Sequence, residues 1–141
     1  HPREKRTRIT PEHITQLAPD EIFVFGSNLE GKHLGGAAHT AIQWGAIIGQ
    51  GEGIQGKTYA IPTMFDTVSE LKPYVLRFID YAKKNPYKRF LVTKIGCGIA
   101  GFDYKQIAPL FISVIRENIS NICLPMEWST YLVGIEGIGK D

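Results

Sequence analysis

The chain has 141 residues, 43% of them hydrophobic, which is enough for one domain with a sizeable core. Its formal net charge is only +2, and much of the basic excess falls in Arg3, Lys5, Arg6 and Arg8, so the rest is near neutral and does not carry the broad basic surface of a nucleic-acid binder. No secretory apolar segment and no run of about 18 apolar residues occurs, which points to a soluble protein without a spanning helix. The two cysteines, Cys97 and Cys123, stand far apart and outside metal-ligand spacing. That fits a reducing cytoplasm rather than a disulfide framework.

Residues 1–10 lack apolar periodicity and are expected to form a flexible basic tail, whose functional reading is a nucleic-acid arm. Residues 11–141 then make a single domain. Glu21 to Ser27 contains Ile22-Phe23-Val24-Phe25, a buried strand. A glycine-rich junction follows, and a small-residue helix is expected from Gly36 to Ile48, where Ala37, Ala38, Ala41 and Gly45 permit close packing on a sheet. Gly49 to Gly56 carries four glycines and reads as a mobile loop, either folding over a ligand or forming an exposed turn. Lys57 to Pro62 is a short strand. Thr67 to Lys84 repeats Val68, Leu71, Val75, Phe78, Ile79 and Ala82 at helical spacing and stops at Asn85-Pro86. Phe90 to Ile95 predicts another strand, Tyr104 to Asn118 a helix, Asn121 to Leu124 a strand, and Tyr131 to Ile135 an edge strand. Alternating strands and helices of this kind imply an α/β fold with a largely parallel sheet. Ligands bind such sheets at the carboxyl ends of the strands.

Two glycine-rich loops fall at that end. The segment Gly96-Cys97-Gly98-Ile99-Ala100-Gly101-Phe102-Asp103 lies between a strand and a helix. Glycine lets a phosphate approach the main chain, and a helix N-terminus adds partial positive charge. The spacing matches neither the dinucleotide fingerprint nor the P-loop, so a phosphate-bearing ligand is favoured but ATP or NAD held in the usual ways is not. Cys97 is either a nucleophile with a lowered pKa or a small apolar residue in a tight turn. The first loop runs from Gly26 through Ser27 and Asn28 to Gly35, Gly36 and Ala37. Asn28 reads as a holder of a ligand hydroxyl or water, or as an Asx-turn or helix N-cap. His33 and His39 flank this loop without a carboxylate or cysteine at metal-ligand spacing, and are expected at the surface or the ligand rim rather than on a metal. Trp44, Phe102, Tyr104 and Trp128 are candidates to stack on a base, each also explained by packing. No cofactor is indicated.

The segment Val24 to Ala38, the Gly96 to Tyr104 segment and the strand end Ile61-Pro62-Thr63-Met64 together resemble the macrodomain superfamily, whose members bind ADP-ribose or remove it from modified macromolecules. The glycine segment is most similar to the branch with the DNA ADP-ribosyl glycohydrolase antitoxins and the terminal ADP-ribose protein glycohydrolases. A bacterial or phage group of macrodomain-like proteins carrying Phe-Gly-Ser-Asn and Gly-Cys-Gly-Ile-Ala-Gly is also similar. The resemblance spans residues 12 to 128 in order. It implies a three-layer α/β/α fold with a mostly parallel mixed sheet, and ADP-ribose or an ADP-ribosylated macromolecule as partner. It implies ligand contacts from Gly26, Ser27, Gly35, Gly36, Ala37 and Thr63, and from Gly96, Cys97, Gly98, Ile99, Ala100, Gly101 and Phe102, with Asn28 at the distal ribose.

The departures are specific. The best match to the family's adenine-binding Gly-Asp-Ile is His13-Ile14, within Glu12-His13-Ile14-Thr15, with His13 at the Asp position. Met64 stands where the glycohydrolase branch has its catalytic Lys, and Ala100 where one member has an acidic residue. Asp103 could serve as a substitute base, although Asp before a helical run is a standard cap. ADP-ribosyl hydrolysis is therefore an open extension of ligand binding. The alternative is a non-catalytic nucleic-acid or protein interaction module using the basic tail and Lys83, Lys84, Lys88 and Arg89.

Overall fold

The apolar run Ile22 to Phe25 forms the middle of β1 (Glu21–Ser27), and a computed structural model describes the chain over residues 8–33 and 35–140. β1 is the centre of a five-stranded mixed sheet ordered β2-β3-β1-β4-β5, with β2 Gly53–Gln55, β3 Thr58–Pro62, β4 Arg89–Val92 and β5 Ile122–Cys123. β1 runs parallel to β3 and β4, β4 runs parallel to β5, and β2 alone is antiparallel, to β3. Parallel pairing aims the carboxyl ends of β1, β3 and β4 at one edge of the molecule.

Alternation along β1 builds two cores. Ile22 and Val24 face a large cluster with Ile61 and Phe90 of the neighbouring strands, and with Val75, Phe78 and Ile79 of α2 (Lys72–Lys83). Phe23 and Phe25 face a smaller cluster with Ala60, and with Ala38 and Ala41 of α1 (Gly36–Ala41). Phe78 anchors the larger core, its ring 5.0 Å from that of Tyr59 and 5.6 Å from that of Phe90.

Several elements differ from expectation. The glycine-rich stretch 49–56 is not a mobile loop throughout, because Gly53–Gln55 pairs with β3. Gly56, at φ +60°, supplies the left-handed first position of a two-residue hairpin turn. The predicted edge strand 131–135 lies inside α5 (Met126–Lys140). Trp128 and Leu132 are both fully buried one helical turn apart, and that burial outweighs the strand preference of Tyr131-Leu132-Val133. The helix expected over 36–48 ends at Ala41, continues as a 3-10 turn to Trp44, and stops at Gly45 at φ +109°. The 104–118 helix is divided into α3 (Tyr104–Ile107), a 3-10 turn over Ala108–Phe111 and α4 (Ile112–Arg116). Pro109, which has no N–H, sits at that division. The Thr67 start is a capping box with Glu70, leading through a 3-10 turn to α2.

Of the expected basic tail, residues 1–7 lie outside the described residues, while Arg8 to Thr10 are joined to the sheet. Ile9 pairs in parallel with Leu124, and Thr10 N donates to Leu124 O at 2.9 Å. Arg8 donates to Asn118 Oδ1 and Ile119 O. The chain then crosses the carboxyl edge of the sheet before entering β1. Among the described residues no helix is long and apolar enough to cross a membrane.

Tyr59 gives the large core a pH dependence. Burial foremost, then the Glu52 carboxylate, pushes its phenol up from 10.0 to about 12. The unfolded chain releases this proton first, so stability is complete below pH 10 and falls as pH rises towards 12. Two units correspond to a loss of roughly 2–3 kcal/mol. Tyr59→Phe is expected to flatten this alkaline decline in denaturant titrations at pH 9, 10 and 11. An equally steep decline in the variant would assign the effect to other groups.

Candidate functional site

β1 ends where Gly26 packs against its neighbours. A Cβ on Gly26 would lie 3.1 Å from Thr63 Oγ1 and 3.5 Å from Gly96 N. This close approach brings the ends of β1, β3 and β4 together. Thr63 N donates to Ser27 O at 2.8 Å, and Thr93 Oγ1 donates to Val24 O at 2.8 Å. The first loop leaves β1 and the second leaves β4. Between them lies a cavity of about 380 Å³.

Most residues expected to hold a ligand line this cavity. Gly26, Ser27, Asn28, Gly35, Gly36 and Ala37 do so from the first loop. Gly96, Gly98, Ile99 and Ala100 do so from the second, and Thr63 from the end of β3. Cys97, Gly101, Phe102 and Asp103 do not line it. Phe102 and Cys97 pack against the large core instead, and Phe102 N closes the second loop by donating to Gly96 O at 2.8 Å. Burial, with the Asp103 and Glu127 charges behind it, pushes the Cys97 thiol up. A raised pKa keeps the sulfur protonated near neutrality and supports the apolar reading of Cys97 over the nucleophilic one.

The glycines of the two loops fall into two groups. Gly96, at φ +74°, lies 3.1 Å by its notional Cβ from Ile107 Cδ1, so glycine there serves the packing. Gly35 and Gly98 are different. Their backbones do not need positive φ, and among the described residues a Cβ on either would meet nothing beyond its chain neighbours within 4 Å. The fold does not require glycine at these two positions, yet both border the cavity. Their missing side chains leave space open to whatever enters it.

The polar lining includes backbone N–H groups and the Asn28 amide. The second loop turns on a Gly101 N to Gly98 O bond of 2.9 Å, while the N–H groups of Gly98, Ile99 and Ala100 donate to no described residue. Consecutive free N–H groups in a turn make an anion-binding concavity. α1 begins at Gly36, so its first N–H groups have no intrahelical partner. Asn28 Oδ1 accepts from Lys32 N, four residues on, at 3.1 Å, a bond that ties the loop together without forming the two-residue Asx-turn. Its Nδ2 donates to no described residue, so the loop bond and a ligand hydroxyl can be served together. Asp103 is a helix cap: its carboxylate accepts from Lys105 N at 2.9 Å, and Gln106 completes a capping box. Met64 and Ala100 both line the cavity and bring no ionisable group to it.

A second cavity of about 670 Å³ adjoins the first. The crossing segment Ile9 to Thr15 forms one wall, with His13 in it, and Phe23, Thr40, Pro125 and Met126 contribute to the rest. Ala37, Thr93 and Lys94 line both cavities. Thr93 and Lys94 fall in the strand expected over 90–95, but β4 ends at Val92 and releases them to the cleft. Lys32 also lines the loop cavity.

Other expectations resolve as packing. His39 is exposed, but His33 is 2% exposed, with its ring edge-on to Phe25 at 5.1 Å, which corrects its placement at the surface or ligand rim. Trp128 is fully buried and Trp44 packs on Phe23 at 5.0 Å. Tyr104 meets Tyr131 edge-on at 5.8 Å. The basic cluster is largely paired: Lys83 with Glu117, Lys84 with Asp80 and Arg89 with Glu21. Among the described residues no three His, Cys, Asp or Glu side chains gather as a metal site. No family model, curated protein or solved structure matches this chain.

Proposed function

We propose that this protein binds ADP-ribose, or a nucleoside diphosphate sugar of the same build, with a macrodomain-like three-layer fold. The observation that carries the reading is the pair of glycine-rich loops facing each other across one cavity, with Gly35 and Gly98 leaving side-chain space open. In this reading the free N–H groups of Gly98 to Ala100 receive a diphosphate, and Asn28 Nδ2 meets the distal ribose. The larger adjoining cavity takes the nucleoside, and His13 presents an imidazole to it in place of the family's carboxylate.

Binding is favoured over hydrolysis by the chemistry of the lining. Among the described residues that line the loop cavity there is no carboxylate, imidazole or phenol to act as a general base. Hydrolysis would have to draw on Asn28 and on the ligand's own phosphate.

Calorimetry with ADP-ribose, AMP and ribose 5-phosphate tests the reading. Saturable binding of ADP-ribose at least about tenfold tighter than either fragment is expected, because only the intact ligand spans both cavities. No heat at about millimolar ADP-ribose would overturn it. Release of ADP-ribose from a modified protein or DNA, abolished in Asn28→Ala, would extend the function to hydrolysis.

A further inference from the structure

We propose that Lys94 is the cation that engages the ligand's phosphates where the two cavities meet, and that Glu12 and Glu127 compete with the ligand for it. This rests on the diphosphate reading of the cleft. A ligand with its nucleoside in one cavity and its ribose in the other must lay its linking group across the residues common to both. Those are Ala37, Thr93 and Lys94, of which Lys94 alone is ionisable. Lys94 also lines a third hollow beside α5, together with Glu12 and Glu127, so the residue borders all three spaces.

The present partners of that ammonium are weak. Lys94 Nζ is 3.4 Å from Glu127 Oε1, in the first turn of α5, and 3.8 Å from Glu12 Oε1, on the crossing segment. Both distances exceed the roughly 2.7–2.9 Å of a strong charge-assisted hydrogen bond. The three side chains are 51%, 79% and 49% exposed for Lys94, Glu12 and Glu127, and exposed pairs of this kind contribute little. Phosphate oxygens can therefore replace a carboxylate at little cost. Two carboxylates around one ammonium leave the trio with a net negative charge. The lysine attracts a diphosphate while the glutamates oppose it, all well within a Debye length of about 8–10 Å. Removing the cation and removing one carboxylate should then act in opposite directions.

The experiment is calorimetry of ADP-ribose and adenosine binding to the full chain and to Lys94→Met, Lys94→Arg and Glu127→Gln, at low and high salt. Lys94→Met is expected to weaken ADP-ribose binding at least about tenfold and flatten its salt dependence, with adenosine within about twofold. Lys94→Arg should keep the salt dependence, and Glu127→Gln should tighten ADP-ribose binding. Equal losses for ADP-ribose and adenosine in Lys94→Met, or no loss, would overturn the proposal. A second measurement separates this proposal from the ligand assignment. Lysines are ¹³C-methylated and the Lys94 signal is followed by NMR as pyrophosphate is added. A shift with pyrophosphate in a protein that does not bind ADP-ribose would support the anion site while removing the nucleotide reading. No shift with either compound would overturn the anion site itself.

Discussion

Gly98→Val and Gly35→Val are each expected to abolish ADP-ribose binding while leaving the protein folded. Both residues border the loop cavity, and among the described residues neither has a heavy atom beyond its chain neighbours within 4 Å of its notional Cβ. Gly35 is extended, at φ −157°, a conformation that valine adopts freely. The Cβ of a valine at either position therefore meets no described residue beyond its chain neighbours, and valine loses less chain entropy on folding than glycine does. The stability change should stay within about 1 kcal/mol, as for substitutions that touch nothing. The ligand pays for both side chains, because each fills the space into which a phosphate or ribose would pack. A loss of at least about hundredfold, near 2.7 kcal/mol, is expected by calorimetry. Thermal denaturation must show that the variants are folded. Full affinity in a folded Gly98→Val protein would mean that the ligand lies elsewhere. Gly36→Val and Gly101→Val make poor substitutes, since φ of +60° and +81° would strain the chain whether or not a ligand is present.

Much of this arrangement is legible in the sequence, for physical reasons. The run Ile22 to Phe25 has no polar alternation because both faces of β1 are buried. The helical spacing of Val75, Phe78, Ile79 and Ala82 matches the buried stripe of α2. Both glycine-rich loops fall between a parallel strand and a helix, which places them at one edge of the sheet once the strands pair. Asp103 and Thr67 announce helix starts through their side-chain chemistry, and both cap as local rules predict.

The features that were not legible depend on distant partners. β2 is three residues long and acquires strand character only by lying against β3. α5 contains Tyr131-Leu132-Val133, which prefers a strand locally. Its helical state follows from burying Trp128 and Leu132 together, beside Phe111 at 5.8 Å from the Trp128 ring. The second cavity is legible only through the match of Glu12 to Thr15 to an adenine-binding segment. Residues 9–15 have no periodicity of their own, and they become a wall only because Ile9 pairs with Leu124, more than a hundred positions away. Lys94 was hidden for a related reason. It follows the apolar run of β4 in sequence, but Glu12 and Glu127, which lie near its ammonium, come from the two ends of the chain.

The stretch 49–51 fixes the Asn28 loop from behind, and Gly51→Ala is expected to disrupt both. A Cβ on Gly51 would lie 2.3 Å from Asn28 O and 2.5 Å from Leu29 O. Both are backbone atoms that cannot swing aside as a side chain can. The two segments are also bonded together. Ser27 Oγ donates to Gly51 O, and Gly49 N donates to Gly31 O at 2.8 Å. Gln55, 1% exposed, braces the far side, with its Nε2 donating to Gln50 O at 2.9 Å and its Oε1 accepting from Ile47 N at 2.6 Å. The methyl group can be admitted only by moving the loop that carries Asn28. Overpacking of this kind costs about 1–3 kcal/mol and sometimes more, a fall of roughly 3–10 °C in Tm for a domain of this size. A displacement of about 1 Å at a positioning group can lower function about a hundredfold, so ADP-ribose affinity should fall along with Tm. Ser27→Ala is the control: it removes one hydrogen bond, worth about 1 kcal/mol, without adding an atom. If Gly51→Ala keeps both the Tm and the ADP-ribose affinity of the parent, the two segments separate freely and Asn28 is not held by them. If Tm falls and affinity does not, the brace is structural and Asn28 does not contribute to ligand binding.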